Sequence, residues 1–547
     1  MEYQQGLAIK CCALLLASLA IAAVPASALD GPFLVKDIKP GTDGSYPRLF
    51  VPFGNQLFFG SNDGVTGSEP WISDATTGGT IQLANVDGGP GSSLSGCPLC
   101  KAVTIGPFLY FSTYNAQLWR TDGTPAGTIN YYPTGLADDL ENVGGTLFFS
   151  GTPPGYFLRY LCKIDGSGAI VQVSDVPISG NDLTGVNGTV FFTGGRGQGT
   201  ELWKSDGTAV GTTMVKDIAP GGSSSYATLL TDVNGTLFFV ATDDVNYGLF
   251  KSDGSAAGTI FLKSLTVMQV VNANGTAFLI ASDGVSGVEL WKSDGTIGGT
   301  VLVKDILPGT GDALSGSSLV AIGSSVYFAA IDGSFGRELW KSDGTTAGTV
   351  MVKDINPGSG NFSSSSPAGL ANVNGTLFFR ADAGFPNGTQ IWTSDGTQAG
   401  TVQVAVLNPN PSGNSQAEFF TKIGSNIFFA GTDGSSGVEL WKMSGAPLAT
   451  VGPDGGQVAG GVSLAQNWPN PVTRAATQVS YSIPSSQHVV LRLYDLSGRE
   501  VQTLVDAQKP AGSHTVDVRA GQSPSGMYFY RLETKSGIQQ RKLLLIR

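Results

Sequence analysis

Histidine is almost missing from this chain: there are two among 547 residues, His488 and His514, both near the C-terminus. A Ser-His-Asp or Cys-His nucleophilic site therefore finds no base anywhere in the preceding residues. Charge is scarce too, at 13% of residues against roughly 25% in an ordinary soluble protein. What charge there is sums to −11, so the clustered Lys and Arg of a nucleic-acid partner are absent. No stretch reaches the roughly 18 apolar residues of a membrane-spanning helix.

The longest apolar run, CCALLLASLAIAAV from Cys11 to Val24, is too short to span and is preceded by Lys10. Ala26-Ser27-Ala28 follows with the small residues of a secretory cleavage site. Residues 1–28 are accordingly expected to be a signal peptide, and the mature chain to be secreted or held at the outer cell surface. Three of the five cysteines lie beyond that segment. Cys97 and Cys100, in CPLC, are expected to form a local disulfide in an oxidising compartment. Reduced thiols, a redox pair or a metal site are the alternatives. A redox CxxC is expected beside a βαβ pattern, and a zinc site needs two further ligands.

Glycine, by contrast, is abundant at 77 residues, and phenylalanine reaches 28. Aromatic residues with few charges argue against disorder and for short buried strands joined by tight turns. A repeat explains the excess. The string ELWKSDGTAVGT at Glu201 recurs as ELWKSDGTIGGT at Glu289 and ELWKSDGTTAGT at Glu338, and in shortened form as ELWKMSG at Glu439. Nine copies align on Trp71, Trp119, Cys162, Trp203, Phe250, Trp291, Trp340, Trp392 and Trp441, a mean period of about 46 residues.

Each period holds four strand-like runs. One is VKDIxPG, as in MVKDIAPG at Met214, and a looser run such as ATLLTDV at Ala227 follows it. Next comes an Asn-Gly turn leading into an aromatic strand, as in NGTLFFVAT at Asn234, and then the ELWKS strand. Asn-Gly between apolar runs is a strong hairpin signal, because both residues must take positive φ. Leu202 and Trp203, like Phe238 and Phe239, point to opposite faces of their strands, so both faces must be buried. Four antiparallel strands per period, covered on both sides, predict an all-β protein: a β-propeller of about eight or nine four-stranded blades. A β-solenoid is the competing architecture. These residues resemble the ELWxxDGT repeat family of exported bacterial proteins over roughly residues 31–445, a resemblance that implies a repeat and little about activity.

A catalytic string is needed once, not nine times, so the repeated motif is expected to be structural. Glu201 and Lys204 read as solvated strand ends, and Asp206-Gly207 as a turn. The Asp-Gly turns at Asp63, Asp283, Asp332 and Asp433 offer oxygens that a Ca²⁺ ion could use, but plain hairpin turns explain them first. Turn chemistry likewise accounts for four of the Asn-Gly-Thr sequons, at Asn187, Asn234, Asn274 and Asn374; a fifth is at Asn387.

From about Gly445 the composition shifts to a Gly-, Pro- and Ala-rich linker, residues 446–462, and then to alternating strands such as VVLRLYD and MYFYRLE. Residues 463–547 are expected to fold as a small β-sandwich. They resemble the C-terminal sorting domain of type IX secretion cargo, which shares an immunoglobulin-like sandwich with the flagellar hook-capping protein. The matching features are NWPNP (Asn467, Trp468, Pro469, Asn470, Pro471), LYDLSGREVQTL with Gly498, and SGMYFYRL with Gly526 and Tyr528. After NWPNP the chain continues Val472-Thr473-Arg474, where that family commonly has an aromatic and Asn-Pro. The resemblance implies export machinery as a partner of this tail. The propeller of residues 29–445 is expected to be non-catalytic, to need no cofactor, and to present a surface to an extracellular glycan or protein. A secreted hydrolase using loop carboxylates and a structural surface-layer component are the other readings. Peptide mapping without reductant should recover Cys97 and Cys100 in one oxidised peptide; two free thiols there would count against the bridge.

Overall fold

The computed structural model describes residues 29–94, 100–197, 199–357, 364–444, 463–464, 476–483, 486–495, 499–510, 512–519, 524–535 and 537–545. Residues 1–28 and 446–462, expected as signal peptide and linker, lie outside them, as do Cys97, the NWPNP residues Asn467 to Pro471 and Gly498. Every regular element described is a strand.

Between residues 30 and 444 the described strands form nine four-stranded antiparallel sheets, eight of them meanders of consecutive strands. Blade 4 shows the plan: Thr184–Val186 innermost, then Thr189–Gly195, Thr200–Ser205 and the outer Thr213–Lys216. The aromatic run is thus the second strand and ELWKS the third. The VKD run forms the outer strand and closes a blade, although in the sequence pattern it reads as the run that opens one. Asn187 and Gly188 join the first two strands with φ of 49° and 78°, the positive values a type I′ hairpin demands. Asn234-Gly235, Asn274-Gly275 and Asn374-Gly375 repeat this geometry.

The innermost strands neighbour one another in chain order, and the last, Glu418–Ile423, lies beside the first, Arg48–Phe53. The ring is closed, single and nine-bladed. Blade 9 takes three strands from residues 418–444 and its outer strand, Asp30–Lys36, from the beginning of the ring. Leu34 pairs there with Trp441, as Met214 pairs with Trp203.

Nine apolar clusters fill the nine spaces between blades. Blade 6 contributes Phe278, Ile280, Leu290 and Val303 to one of them, and blade 7 contributes Val326, Phe328, Ala330 and Trp340. Leu339 and Tyr327, alternating with Trp340 and Phe328, turn to the other face and meet Phe379 and Trp392 of blade 8. Alternation therefore supplies two interfaces from one strand, and no face is left for water. The closing interface is built alike, from Val35, Phe428 and Leu440 against Leu57, Phe59 and Trp71.

Residues 463–545 contribute two further sheets. A three-stranded one contains Ala476–Ile483 and Gly512–Arg519, and a four-stranded one has Gln487–Tyr494 and Gly526–Thr534 at its centre. They share one core that includes Tyr481, Leu491, Val518, Tyr530 and Leu543, which makes a sandwich. Gly526 begins one of its strands, and Tyr528 is buried with its hydroxyl donating to the Pro524 carbonyl at 2.8 Å.

Deleting residues 29–36 should remove the strand that closes the ring and expose one face of Trp441's sheet. The loss should be at least that of a buried large-to-small change, about 3–5 kcal/mol. Thermal denaturation of the truncated chain measures it, and an unchanged midpoint would mean that closure does not depend on this strand.

Candidate functional site

Glu201, the first residue of the repeated string, is 1% exposed. Its carboxylate accepts the backbone N–H of Ile218 at 2.9 Å and of Ser225 at 3.1 Å. Both donors belong to the connection between the outer strand of blade 4 and the inner strand of blade 5. Glu289 does the same for Ile306 and Leu307, Glu338 for Ile355 and Ser365, and Glu439 for Ile38 and Ser45. Glu69 holds Val86 and Ser93. The expectation of a solvated glutamate is therefore wrong. The connection folds back over the strand end, and its buried N–H groups need an acceptor. Gln390 does this in blade 8, its carbonyl oxygen accepting from Leu407 and Asn408.

Burial pushes the carboxyls of Glu289, Glu338 and Glu439 up to about 7, and raises those of Glu69 and Glu201. A raised carboxyl in a cleft is a usual mark of an acid catalyst. Here the group recurs around the ring, buried and bonded to backbone N–H, which is a structural arrangement.

Lys204 is not a solvated end either. It is half-buried, and its ammonium donates to the Gly254 carbonyl of the next blade at 2.7 Å. The outer-strand lysines act in parallel. Lys216 donates to Thr259, Lys304 to Thr349 and Lys353 to Thr401, each in the following blade. Lys36, Lys263, Lys304 and Lys353 also lie over Trp71, Trp291, Trp340 and Trp392, where a cation–π contact contributes about 0.5–1 kcal/mol.

The DGTxxGT turn is self-contained. Asp206 accepts from the N–H and hydroxyl of Thr208, Thr208 accepts from Gly211 N–H, and Ser205 shares a 2.7 Å hydrogen bond with Thr212. A Cβ at Gly211 would stand 2.0 Å from the Asp206 carboxylate, which is why glycine recurs there. The Asp63, Asp283, Asp332 and Asp433 carboxylates are likewise engaged by backbone N–H groups two and three residues on. Among the described residues no three His, Cys, Asp or Glu side chains gather in a way that could hold a metal ion.

All nine alignment positions face an inter-blade cluster. Trp71, Trp291, Trp340, Trp392 and Trp441 are buried, while Trp119 and Trp203 are partly so. Cys162 is fully buried against Leu147 and Phe149, where burial pushes its thiol up to about 12 and leaves it unreactive. Phe250 stacks on Phe239 at 5.7 Å. Cys100 is disulfide-bonded.

Two groups escape the sequence pattern. One is a set of carboxylates in Leu136–Val143, read LADDLENV. Asp139 is buried at φ 52°, is paired with Lys101 and accepts Leu183 N–H from blade 4; Asp138 pairs with Arg159. Asp139 thus braces blade 3 to its two neighbours, while the Asp138–Arg159 pair lies within blade 3. The unusual run of acids is the signal available for them in the sequence.

The other group is exposed. In a meander, the hairpins between second and third strands fall on one face of the ring. Their turns carry Val65, Tyr114, Tyr156, Phe157, Val245, Val285, Phe335 and Phe385, all exposed. Phe157 is 100% exposed and Phe385 82%. Tyr46 and Tyr226, on connections at the same face, are exposed too, whereas the turns opposite expose only Val210 and Ile297 among large apolar residues described there.

The fold and these residues define a closed nine-bladed propeller whose repeated motif is committed to joining blades, followed by a two-sheet sandwich. Residues 466–546 match the family described as the secretion system C-terminal sorting domain. The chain is thus an exported protein with a type IX sorting tail, and among the described residues no helix is long and apolar enough to cross a membrane. No curated protein matches the chain. Among solved structures it is similar to a puromycin-hydrolyzing peptidase of Mycobacterium tuberculosis, with 13% identity and a TM-score of 0.34, covering 66% of this chain and 60% of that one. It is also similar to PorZ, a surface component of the type-IX secretion system of Porphyromonas gingivalis, with 12% identity and a TM-score of 0.23, covering 94% and 82%.

The buried glutamates fix a pH dependence. Their folded values lie above the ordinary 4.5, so the folded chain holds protons that the unfolded chain has released. Stability should be highest below about pH 4.5 as far as these groups decide it, and should fall as pH rises to about 7. The turn aspartates, lowered from 3.8 by their hydrogen bonds, act oppositely and only in more acid solution. Glu289→Gln, which copies the amide that blade 8 has at Gln390, should therefore gain stability relative to the parent at pH 8 compared with pH 5. Melting midpoints of both proteins at the two pH values test this, and parallel profiles would refute it.

Proposed function

We propose that this protein is a non-catalytic propeller that presents a binding surface outside the cell, with a C-terminal domain for export or surface attachment. The signal peptide spans residues 1–28, the propeller 29–445, the linker 446–462 and the sorting sandwich 463–547. The observation that carries the binding role is the row of exposed aromatic and aliphatic side chains on one face. A surface of scattered single apolar residues is ordinary, but one such residue on hairpin after hairpin of the same face suits recognition. The ligand class is an extracellular glycan, surface protein or matrix component, since rings such as Tyr114, Phe157 and Phe385 offer flat faces for stacking on sugars or side chains. Catalysis is disfavoured by the engagement of the repeated carboxylates with backbone groups and by the absence of histidine from the repeats.

Binding of the mature chain to glycan and matrix-protein arrays tests this reading. The doubly substituted Phe157→Ser, Phe385→Ser chain should lose at least tenfold in affinity while keeping its melting midpoint. Binding that ignores those changes, or glycoside turnover that disappears on changing a single Asp or Glu, would overturn the proposal.

A further inference from the structure

The outer strand of blade 3 lacks the lysine that caps several sister interfaces, as do those of blades 1, 2 and 8, which carry Ala84, Tyr132 and Ala405 there. In the outer strand of blade 3, Ile170–Pro177, Gln172 pairs with Cys162 as Met214 pairs with Trp203 in blade 4 and Leu302 with Trp291 in blade 6. Two residues on, where those strands have Lys216 and Lys304, blade 3 has Ser174. The space the lysine would fill is open. A crevice of about 580 Å³ lies there, lined by Gln172, Ser174, Arg196, Trp203 and Thr212 among others. Trp203, the next blade's indole, is only partly buried beside this crevice, whereas Trp291, Trp340 and Trp392 under their lysines are buried, as is Trp441, which packs against Ala405.

The sister interfaces show what such a space accepts. Lys304 holds its ammonium 5.4 Å from the Trp340 ring centroid and donates to the Thr349 carbonyl at 2.9 Å. Lys353 does so with Trp392 and Thr401, at 5.5 and 2.7 Å, and Lys36 with Trp71 and Thr80, at 5.5 and 2.8 Å. Trp203 and Thr212 stand in the same relation within blade 4, since Ser205 bonds Thr212 as Ser342 bonds Thr349. Arg196, at the mouth, is paired with Asp175, so its charge is compensated and does not turn a cation away.

We propose that this crevice on the outer wall, between blades 3 and 4, binds a primary alkylammonium group in the place of the missing lysine. The ligand's ammonium lies over the face of Trp203 and donates to the Thr212 carbonyl, while its methylenes run past Ser174 and Gln172. The site uses none of the exposed apolar hairpin residues and does not depend on them. A lysine side chain of another protein and a free diamine share this chemistry.

The test titrates the mature chain with cadaverine, with the peptide acetyl-Gly-Lys-Gly-amide and with its norleucine counterpart, following the Trp203 indole N–H signal by NMR. At least one ammonium ligand should move that signal and the norleucine peptide should not. Response to the peptide alone assigns a protein lysine; response to cadaverine alone assigns a free amine. Ser174→Lys should abolish the response and raise the melting midpoint, since it restores the contact found at the sister interfaces. Ser174→Met, which fills the space without charge, should abolish it too. No response to either ammonium ligand, an equal response to norleucine, or a response that survives both substitutions would overturn the assignment.

Discussion

Everything in the ring depends on each blade having to bury both of its faces. A single four-stranded sheet of this composition exposes two rows of large apolar side chains, and it becomes soluble only between two neighbours. Phe328 and Trp340 serve one interface while Tyr327 and Leu339 serve the next, so no blade is stable by itself. That dependence also dictates how the ring ends. The ninth sheet needs an outer strand to cover the Trp441 region, and Asp30–Lys36 supplies it from the opposite end of the repeat array. Closure is one more interface of the common kind, with Val35 in the position of Val303.

The second constraint is backbone satisfaction. Each blade's last strand must connect to the next blade's first, and the connection passes over apolar side chains where water is excluded. A carboxylate placed one residue before the Leu-Trp pair supplies two acceptor oxygens at the spot where those N–H groups converge. Burying it costs part of its ionisation, as the values near 7 for Glu289, Glu338 and Glu439 show. Gln390 shows that acceptor geometry, not charge, is what the position requires. With its oxygens bonded to the backbone of the connection, each such carboxylate serves the join between blades.

Much of this is legible in residue order. The spacing of Trp and its substitutes, the paired Phe residues and the Asn-Gly turns are local signals, each with its own steric or packing cause, and they lead to a propeller of about nine blades. Glu201 and Lys204 are misread because charge beside an apolar pair looks solvated within a single strand. Only the return of the connecting loop, and the approach of Gly254 from the next blade, reveal them as buried or bridging. The inner strands are hardest to read. Leu229 and Phe419 sit at φ of 54° and 60°, conformations that β-branched or bulky residues seldom announce. The exposed hairpin tips are hidden for another reason: Val65, Phe335 and Phe385 look like core residues until the topology sends their turns to one rim.

A nearly symmetric ring limits where specificity can reside. Whatever all nine blades share is explained by what all nine blades need, so a ligand that contacts one place must use a departure from the repeat. Departures come in two kinds. Some are absorbed by packing: Cys162 and Phe250 replace tryptophan, yet their interfaces remain closed because Tyr132 and Phe261 approach and fill the volume. Others are left open. Ser174 in place of lysine removes three methylenes and a charge from an interface, and a crevice lies beside Trp203. Within this array, a substitution that the packing does not compensate is the stronger mark of a site. By that criterion the boundary between blades 3 and 4 stands apart from the boundary between blades 2 and 3, although both have lost a residue of the repeat.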